Sequence, residues 1–179
     1  MILKFKNFYP NIHQSVFIAE GSKIIGHVNI DSGSSIWFNA VIRGDVASIK
    51  IGKNTNIQDN STIHVARALY DKNGKEISPK IDCNIGDGVT IGHNCVIHAC
   101  EISNNVLVGM GSVIMDGAKI NENSIIAANS LITKNKTFPP NSLIQGSPAK
   151  FIRELSENEI QAIKEQALEY CLVMKNYIE

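Results

Sequence analysis

Ile85-Gly-Asp-Gly-Val-Thr-Ile91-Gly-His-Asn-Cys-Val-Ile97-His98 reads as successive copies of one six-residue unit. An aliphatic residue opens each unit, and a small or thin one stands fifth. The same phase extends in both directions. Upstream lie Ile18, Ile24, Ile30, Ile36 and Ile42, then, past a short insertion, Ile51, Ile57 and Ile63. Downstream come Ile102, Val108, Ile114, Ile120, Ile126 and Ile132. Fifth places hold Ser22, Ser34, Ala40, Thr55, Ser61, Cys95, Ser112, Ala118, Ser124 and Ser130. A fixed short period of this kind marks a parallel β-solenoid. Three short strands make one triangular coil, and coils stack at strand-pairing distance, about 4.8 Å. First-place residues point inward as a ladder of aliphatics, and fifth-place residues sit at corners too tight for bulk. Glycine and asparagine between them supply turn conformations closed to β-branched residues.

This register serves as a coordinate system. If face A starts at Ile42, face B starts at Ile51 and face C at Ile57, and Ile63 returns to A. With the stretch from Val65 to Asn84 as a loop at the A–B corner, Ile85 resumes on B, Ile91 on C and Ile97 on A. Arg43, His64 and His98 are then second-place residues of face A on successive coils, all facing outward. Asp59 and His93 are third-place residues of face C, one coil apart. His64 and His98 can converge on one ion, whereas His93 lies on another face. A three-fold assembly resolves this by setting face A of one chain against face C of the next. His93 then completes a three-histidine set, and the same docking brings Arg43 towards Asp59 for a charge-assisted bond. Three neutral imidazoles with an open fourth position are what a catalytic zinc requires.

From about Ile36 to Arg153 the chain resembles the gamma-class carbonic anhydrases, in their short cytosolic bacterial form. The matching stretches are Trp37-Phe-Asn-Ala-Val-Ile-Arg-Gly-Asp45, Asn56-Ile-Gln-Asp59, Ile63-His64, Ile91-Gly-His-Asn-Cys-Val-Ile-His98 and Gly146-Ser-Pro-Ala-Lys150. The last is shared with hexapeptide acyltransferases; the histidines with Arg43, Asp45, Asn56, Gln58 and Asp59 are more specific. The resemblance implies a left-handed coil of roughly seven turns, although crossover connections are usually right-handed. It implies His64, His93 and His98 as ligands of Zn2+, or of Fe2+ without oxygen, at the interfaces of a homotrimer. Reversible hydration of carbon dioxide to bicarbonate follows, with a hydroxide generated on the metal as nucleophile. Gln58 and Asn56 would position the reactants, Arg43 and Asp59 would pair between subunits, and Tyr170 would approach the metal. Gln58 shares the second place of its unit with His64, so its amide is expected to face outward and steady a developing bicarbonate oxygen.

The sequence departs from the family at the residue after the Arg-Gly-Asp stretch. Relatives carry a proton-handling glutamate where Val46 stands here, and the loop after His64 offers only Asp71 and Glu76. Proton release is therefore expected to limit turnover. Two other functions compete. Hexapeptide solenoids of this size commonly transfer acyl groups from a CoA thioester, but that chemistry needs one general base and no metal cage. A metal-binding trimer that has lost hydration activity is the other.

Composition bounds the rest. The 179 residues carry 17 Lys and Arg against 17 Asp and Glu, a formal net charge of zero. No basic run points to nucleic acid or an anionic membrane. Neither a signal-like start nor a spanning apolar segment is visible, which places the expected site of action in the cytoplasm. Cys83, Cys95, Cys100 and Cys171 form no close pair in sequence and read as reduced thiols. The expected layout is a β-helix over 1–152 and a packing helix over 153–179. Ser156 with Glu159 makes a capping box for that helix. Its apolar stripe is Ile160, Ile163, Ala167, Tyr170, Cys171, Met174 and Ile178. His13 and His27 read as solvated surface residues, and Trp37, facing out, as interface packing.

Overall fold

A computed structural model describes residues 1–177; Ile178, last of the expected helical stripe, lies outside them. The chain is a left-handed parallel β-helix with one C-terminal helix. Strand pairing reproduces the hexad register face by face. On face A, Ile24, Ile42, Ile63, Ile97, Ile114 and Ile132 pair in turn. On face C the ladder runs Ile18, Ile36, Ile57, Ile91, Val108, Ile126 and Ile144. Face B carries Ile30, Ile51, Ile85, Ile102, Ile120 and Phe138. The isoleucines at 24, 42, 63, 97, 114 and 120 are wholly buried. Removing such ladders from water is the main favourable term for a chain with so few local contacts.

The corners explain the small residues. Ser61 donates its hydroxyl to Gly92 O at 2.8 Å and accepts Cys95 N–H at 3.0 Å. Thr55 likewise reaches Gly86 O and accepts Val89 N–H. These two hydroxyls thus tie one coil to the next while satisfying backbone groups that the turn would leave orphaned. Just before these residues, Asn39, Asn54, Asn60, Asn94, Asn129 and Asn135 adopt positive φ, as asparagine tolerates. Gly21, at φ 78°, is favoured as glycine for a second reason: a Cβ there would lie 2.1 Å from Asn39 Oδ1 on the next coil, so that side chain would have to move.

The long insertion is an ordered β-hairpin. Leu69–Tyr70 pairs antiparallel with Glu76–Ser78, and an Ala66–Ile81 bridge closes its base. Cys83–Ile85 then rejoins face B. At the far end Ser142–Gly146, the last strand of face C, pairs antiparallel with Ala149–Glu154, which reverses the chain. Helix α1 (Glu157–Val173) follows. Its capping box is present as the sequence indicates: Ser156 accepts Glu159 N–H, and Glu159 accepts Ser156 N–H at 2.9 Å. Ile163, Ala167 and Met174 are buried, and α1 lies against Thr90–Ile91 of face C. Trp37 departs from expectation. It is buried within its own chain, edge-on to Phe17, Tyr170 and Tyr177, with its indole N–H on Ser35 Oγ. Its outward side chain is covered because α1 folds back over face C. His27 also differs, being half-buried and stacked on Phe8 at 4.5 Å.

Candidate metal centre

Face A brings two histidines together. His64 and His98 occupy the same register position on adjacent coils, and their rings stand 5.1 Å apart. His64 Nδ1 faces His98 Nε2 at 3.1 Å. The opposite nitrogen of each ring meets a carboxylate: His64 Nε2 donates to Asp45 Oδ1 at 3.0 Å, and His98 Nδ1 donates to Asp116 Oδ1 at 2.5 Å. A neutral imidazole carries one proton, so these bonds place both protons on the outer nitrogens. The two inner nitrogens then face each other as bare lone pairs. That arrangement is repulsive by itself and is relieved either by a metal ion or by a proton shared between the rings.

The carboxylates are held in turn. Arg43 forms an ion pair with Asp45, and Lys134 Nζ lies 3.0 Å from Asp116 Oδ2. Burial raises the Asp45 carboxyl, but the bonds from His64 and Arg43 outweigh it and leave Asp45 below its ordinary value. Asp116 is lowered in the same way, burial being outweighed by Lys134 and His98. His64 is lowered, chiefly because burial disfavours its charged form.

The sequence register identifies the two histidines and Arg43 but not the carboxylate on either ring. Asp45 follows Arg43 by two and is legible as its support. Asp116 stands one coil above His98 and one place further along the strand, a diagonal contact that only side-chain direction reveals. The donor set fits a zinc ion. Two nitrogens bound to one tetrahedral zinc at about 2.0–2.1 Å lie about 3.3 Å apart, close to the spacing observed. Carboxylates on the outer nitrogens are the usual partners of metal-bound histidines. Among the described residues no group of three His, Cys, Asp or Glu is arranged around one point, so face A supplies two donors.

The hairpin walls one side of this site. Arg43, Asp45, Val46, His64, His98, Asp116 and Lys134 border a cleft of about 490 Å³, with Val65, Ala66, Leu69, Pro79 and Ile81 giving it an apolar side. Val46 is on the wall and brings no carboxylate.

His93 lies apart, on face C. Its Nδ1 is 2.7 Å from Asp59 Oδ2, while Asp59 Oδ1 accepts Phe38 N–H at 3.1 Å. With Trp37, Phe38, Tyr170, Val173 and Tyr177 they line a second hollow. Tyr170 is thus beside His93 in its own chain, its hydroxyl raised by burial and by the charge of Asp59. Within one chain Arg43 and Asp59 occupy different faces and have other partners. Asn56 and Gln58 also sit on the outer side of face C but are buried. Gln58 donates to Asn56 Oδ1 at 3.2 Å, and Asn56 donates to Thr90 Oγ1 at 2.9 Å.

A family model described as Dynactin subunit 5 matches residues 3–174. "Gamma carbonic anhydrase 2, mitochondrial" of Arabidopsis thaliana is 42% identical over 90% of this chain and 56% of its own length. The chain therefore spans little more than half of that plant protein. A "Probable carbonic anhydrase" of Methanocaldococcus jannaschii is 52% identical over 89% of this chain and 92% of its own. The crystal structure of a "hexapeptide transferase family protein" from Anaplasma phagocytophilum superposes with a TM-score of 0.89 at 39% identity, covering 99% of this chain and 98% of that one. Repeat, register, histidine placement and these likenesses agree: the chain belongs to the gamma carbonic anhydrase family of hexapeptide-repeat β-helix proteins.

Proposed function

We propose that the protein catalyses reversible hydration of carbon dioxide at a zinc site shared between two copies of the chain in a homotrimer. The observation that carries this reading is that His64 Nδ1 and His98 Nε2 face each other at 3.1 Å while the other nitrogen of each ring meets a carboxylate. The partner chain contributes His93 from face C, already oriented by Asp59. A bound zinc supplies activation of water, lowering its pKa towards about 7. Iron in the ferrous state would suit the same donors.

The remaining work falls to the chain's own groups. The apolar side of the cleft, from Val65 to Ile81, suits an uncharged, weakly polar substrate and limits competing water. Arg43, at the mouth, offers N–H donors to the bicarbonate anion as it forms and, in the assembled trimer, to Asp59 of the neighbouring chain. Gln58 and Asn56, buried and bonded to each other and to Thr90, suit the role of holding the backbone beside Asp59 in place, so that their part in orienting reactants is indirect. Tyr170, beside His93, closes the site from the helix side. With Val46 in the wall, protons leave to buffer or to solvent-exposed groups, so turnover is modest.

The test is metal analysis of protein purified without chelator, followed by stopped-flow hydration of carbon dioxide. Zinc or iron near one per chain with metal-dependent hydration supports the reading. A metal-loaded trimer without hydration at any buffer concentration would replace it with a non-catalytic metal-binding role. The transferase name of the Anaplasma neighbour favours a second reading, acyl transfer from a CoA thioester. Metal-independent acyl transfer would establish that instead.

A further inference from the structure

We infer that Asp116, steered by Lys134, is the positioning residue that fixes His98 as the Nδ1–H tautomer and so presents its Nε2 to the metal; this rests on the shared-metal reading above. Free neutral histidine prefers its proton on Nε2, the nitrogen that here must be bare. Asp116 Oδ1, accepting from Nδ1 at 2.5 Å, reverses that preference. Lys134 stands directly above Asp116, since Ile114 pairs with Ile132 and each charged residue follows two places later. It binds the other oxygen, Oδ2, at 3.0 Å. One carboxylate therefore bridges two coils, with one oxygen committed to each neighbour, and cannot rotate away from His98 without giving up Lys134.

The arrangement mirrors the lower half of the site, where Arg43 holds Asp45 and Asp45 holds His64 Nε2. The two carboxylates draw the protons to opposite outer sides and leave the space between the rings free of hydrogen. Exposure separates this role from a structural one. The Lys134 side chain is 59% exposed and that of Asp116 23%, so their ion pair adds little to folding stability. What it adds is direction.

The experiment compares wild type with Asp116→Ala, Asp116→Glu and Lys134→Met. Ring 15N shifts of the metal-free proteins are recorded about two units above the usual histidine pKa of about 6.5, so that the rings are neutral. Zinc affinity is measured by competition with a colorimetric chelator, and melting temperature serves as the control. Wild-type His98 should carry its proton on Nδ1. In Asp116→Ala it should move to Nε2, with zinc binding about ten- to a hundredfold weaker and little change in melting temperature. Asp116→Glu should recover part of the affinity, and Lys134→Met should show a smaller loss of the same kind. A wild-type His98 protonated on Nε2 overturns the inference. So does an Asp116→Ala variant with unchanged tautomer and unchanged affinity. A wild type with the His98 proton on Nδ1, moving to Nε2 in Asp116→Ala, that binds no zinc would sink the shared-metal reading and leave the positioning role standing.

Discussion

Faces A and C of the same prism both present a histidine against an aspartate, yet they differ in what they offer a metal. On face A, His64 and His98 stack on adjacent coils, each tied outward, with their free nitrogens turned towards each other in a cleft walled by the hairpin. On face C, His93 stands alone beside Asp59, in a hollow walled by aromatic rings and the C-terminal helix. Face A has two donors and apolar access; face C has one donor, Tyr170 and the buried Gln58–Asn56 amides. Neither face holds what a catalytic zinc requires. The difference teaches that a solenoid places ligands along one face easily but around a corner badly, because successive faces point away from one another. A second copy is the economical remedy.

The largest expected effect attacks the division itself. His64→Ala and His93→Ala proteins should each lack bound metal. Co-expressed, the two should regain it, since any mixed trimer has a junction where an intact face A meets an intact face C. Metal analysis of the separated mixed trimer checks this; continued absence of metal would show that the faces do not share a site. Next in size, Arg43→Ala or Asp59→Ala should weaken assembly, by less than a fully buried pair would because Arg43 keeps Asp45 and Asp59 keeps His93 and Phe38 N–H within their own chains. Sedimentation on dilution should show dissociation at concentrations where wild type stays trimeric. If both variants remain trimeric and metal-loaded, the Arg43–Asp59 bond is not part of the interface.

A gentler probe sharpens what face A lacks. Val46→Glu should raise hydration several-fold in dilute buffer and hardly at all in concentrated buffer, because a carboxylate there helps only while proton release is limiting. A benefit independent of buffer would assign the slow step elsewhere. The smallest effect concerns the helix that roofs face C. Ser156→Ala should destabilise it by about 1 kcal/mol, read by thermal melting. Glu159 is lowered to about 2 by Arg153 and by Ser156. Its folded pKa lies below the ordinary carboxylate value, so its contribution is present above that value and is lost as pH falls towards about 2. NMR titration of Glu159 with an ordinary midpoint would contradict this pairing.

Much of this was open to reading from the chain. Inward isoleucines, corner serines and the separation of His93 from His64 and His98 all follow from a period of six, because each rung repeats the backbone geometry of the last. The hairpin was legible only as an insertion: Leu69–Tyr70 and Glu76–Ser78 carry no hexad phase, and their pairing depends on the turn around Gly74. Trp37 was misplaced because period alone says which way a side chain points, not what later folds over it. The burial of Gln58 and Asn56 was likewise not legible from the period. Asp116 escaped notice because its bond to His98 runs diagonally between coils. Registers record rungs, and the chemistry here uses the diagonals.

The antiparallel return of Ala149–Glu154 along Ser142–Gly146 bears on how long such a molecule can grow. A parallel coil ends in a row of unsatisfied N–H and C=O groups, which is a template for the first coil of another molecule. Identical repeats would dock end to end and polymerise into a fibre. By turning the chain back on face C, this segment covers that face's last parallel strand with one of opposite direction and mostly exposed side chains, while Leu131–Ile132 and Thr137–Phe138 end the ladders of the other two faces. End-to-end growth through face C is thereby blocked at this end of the coil.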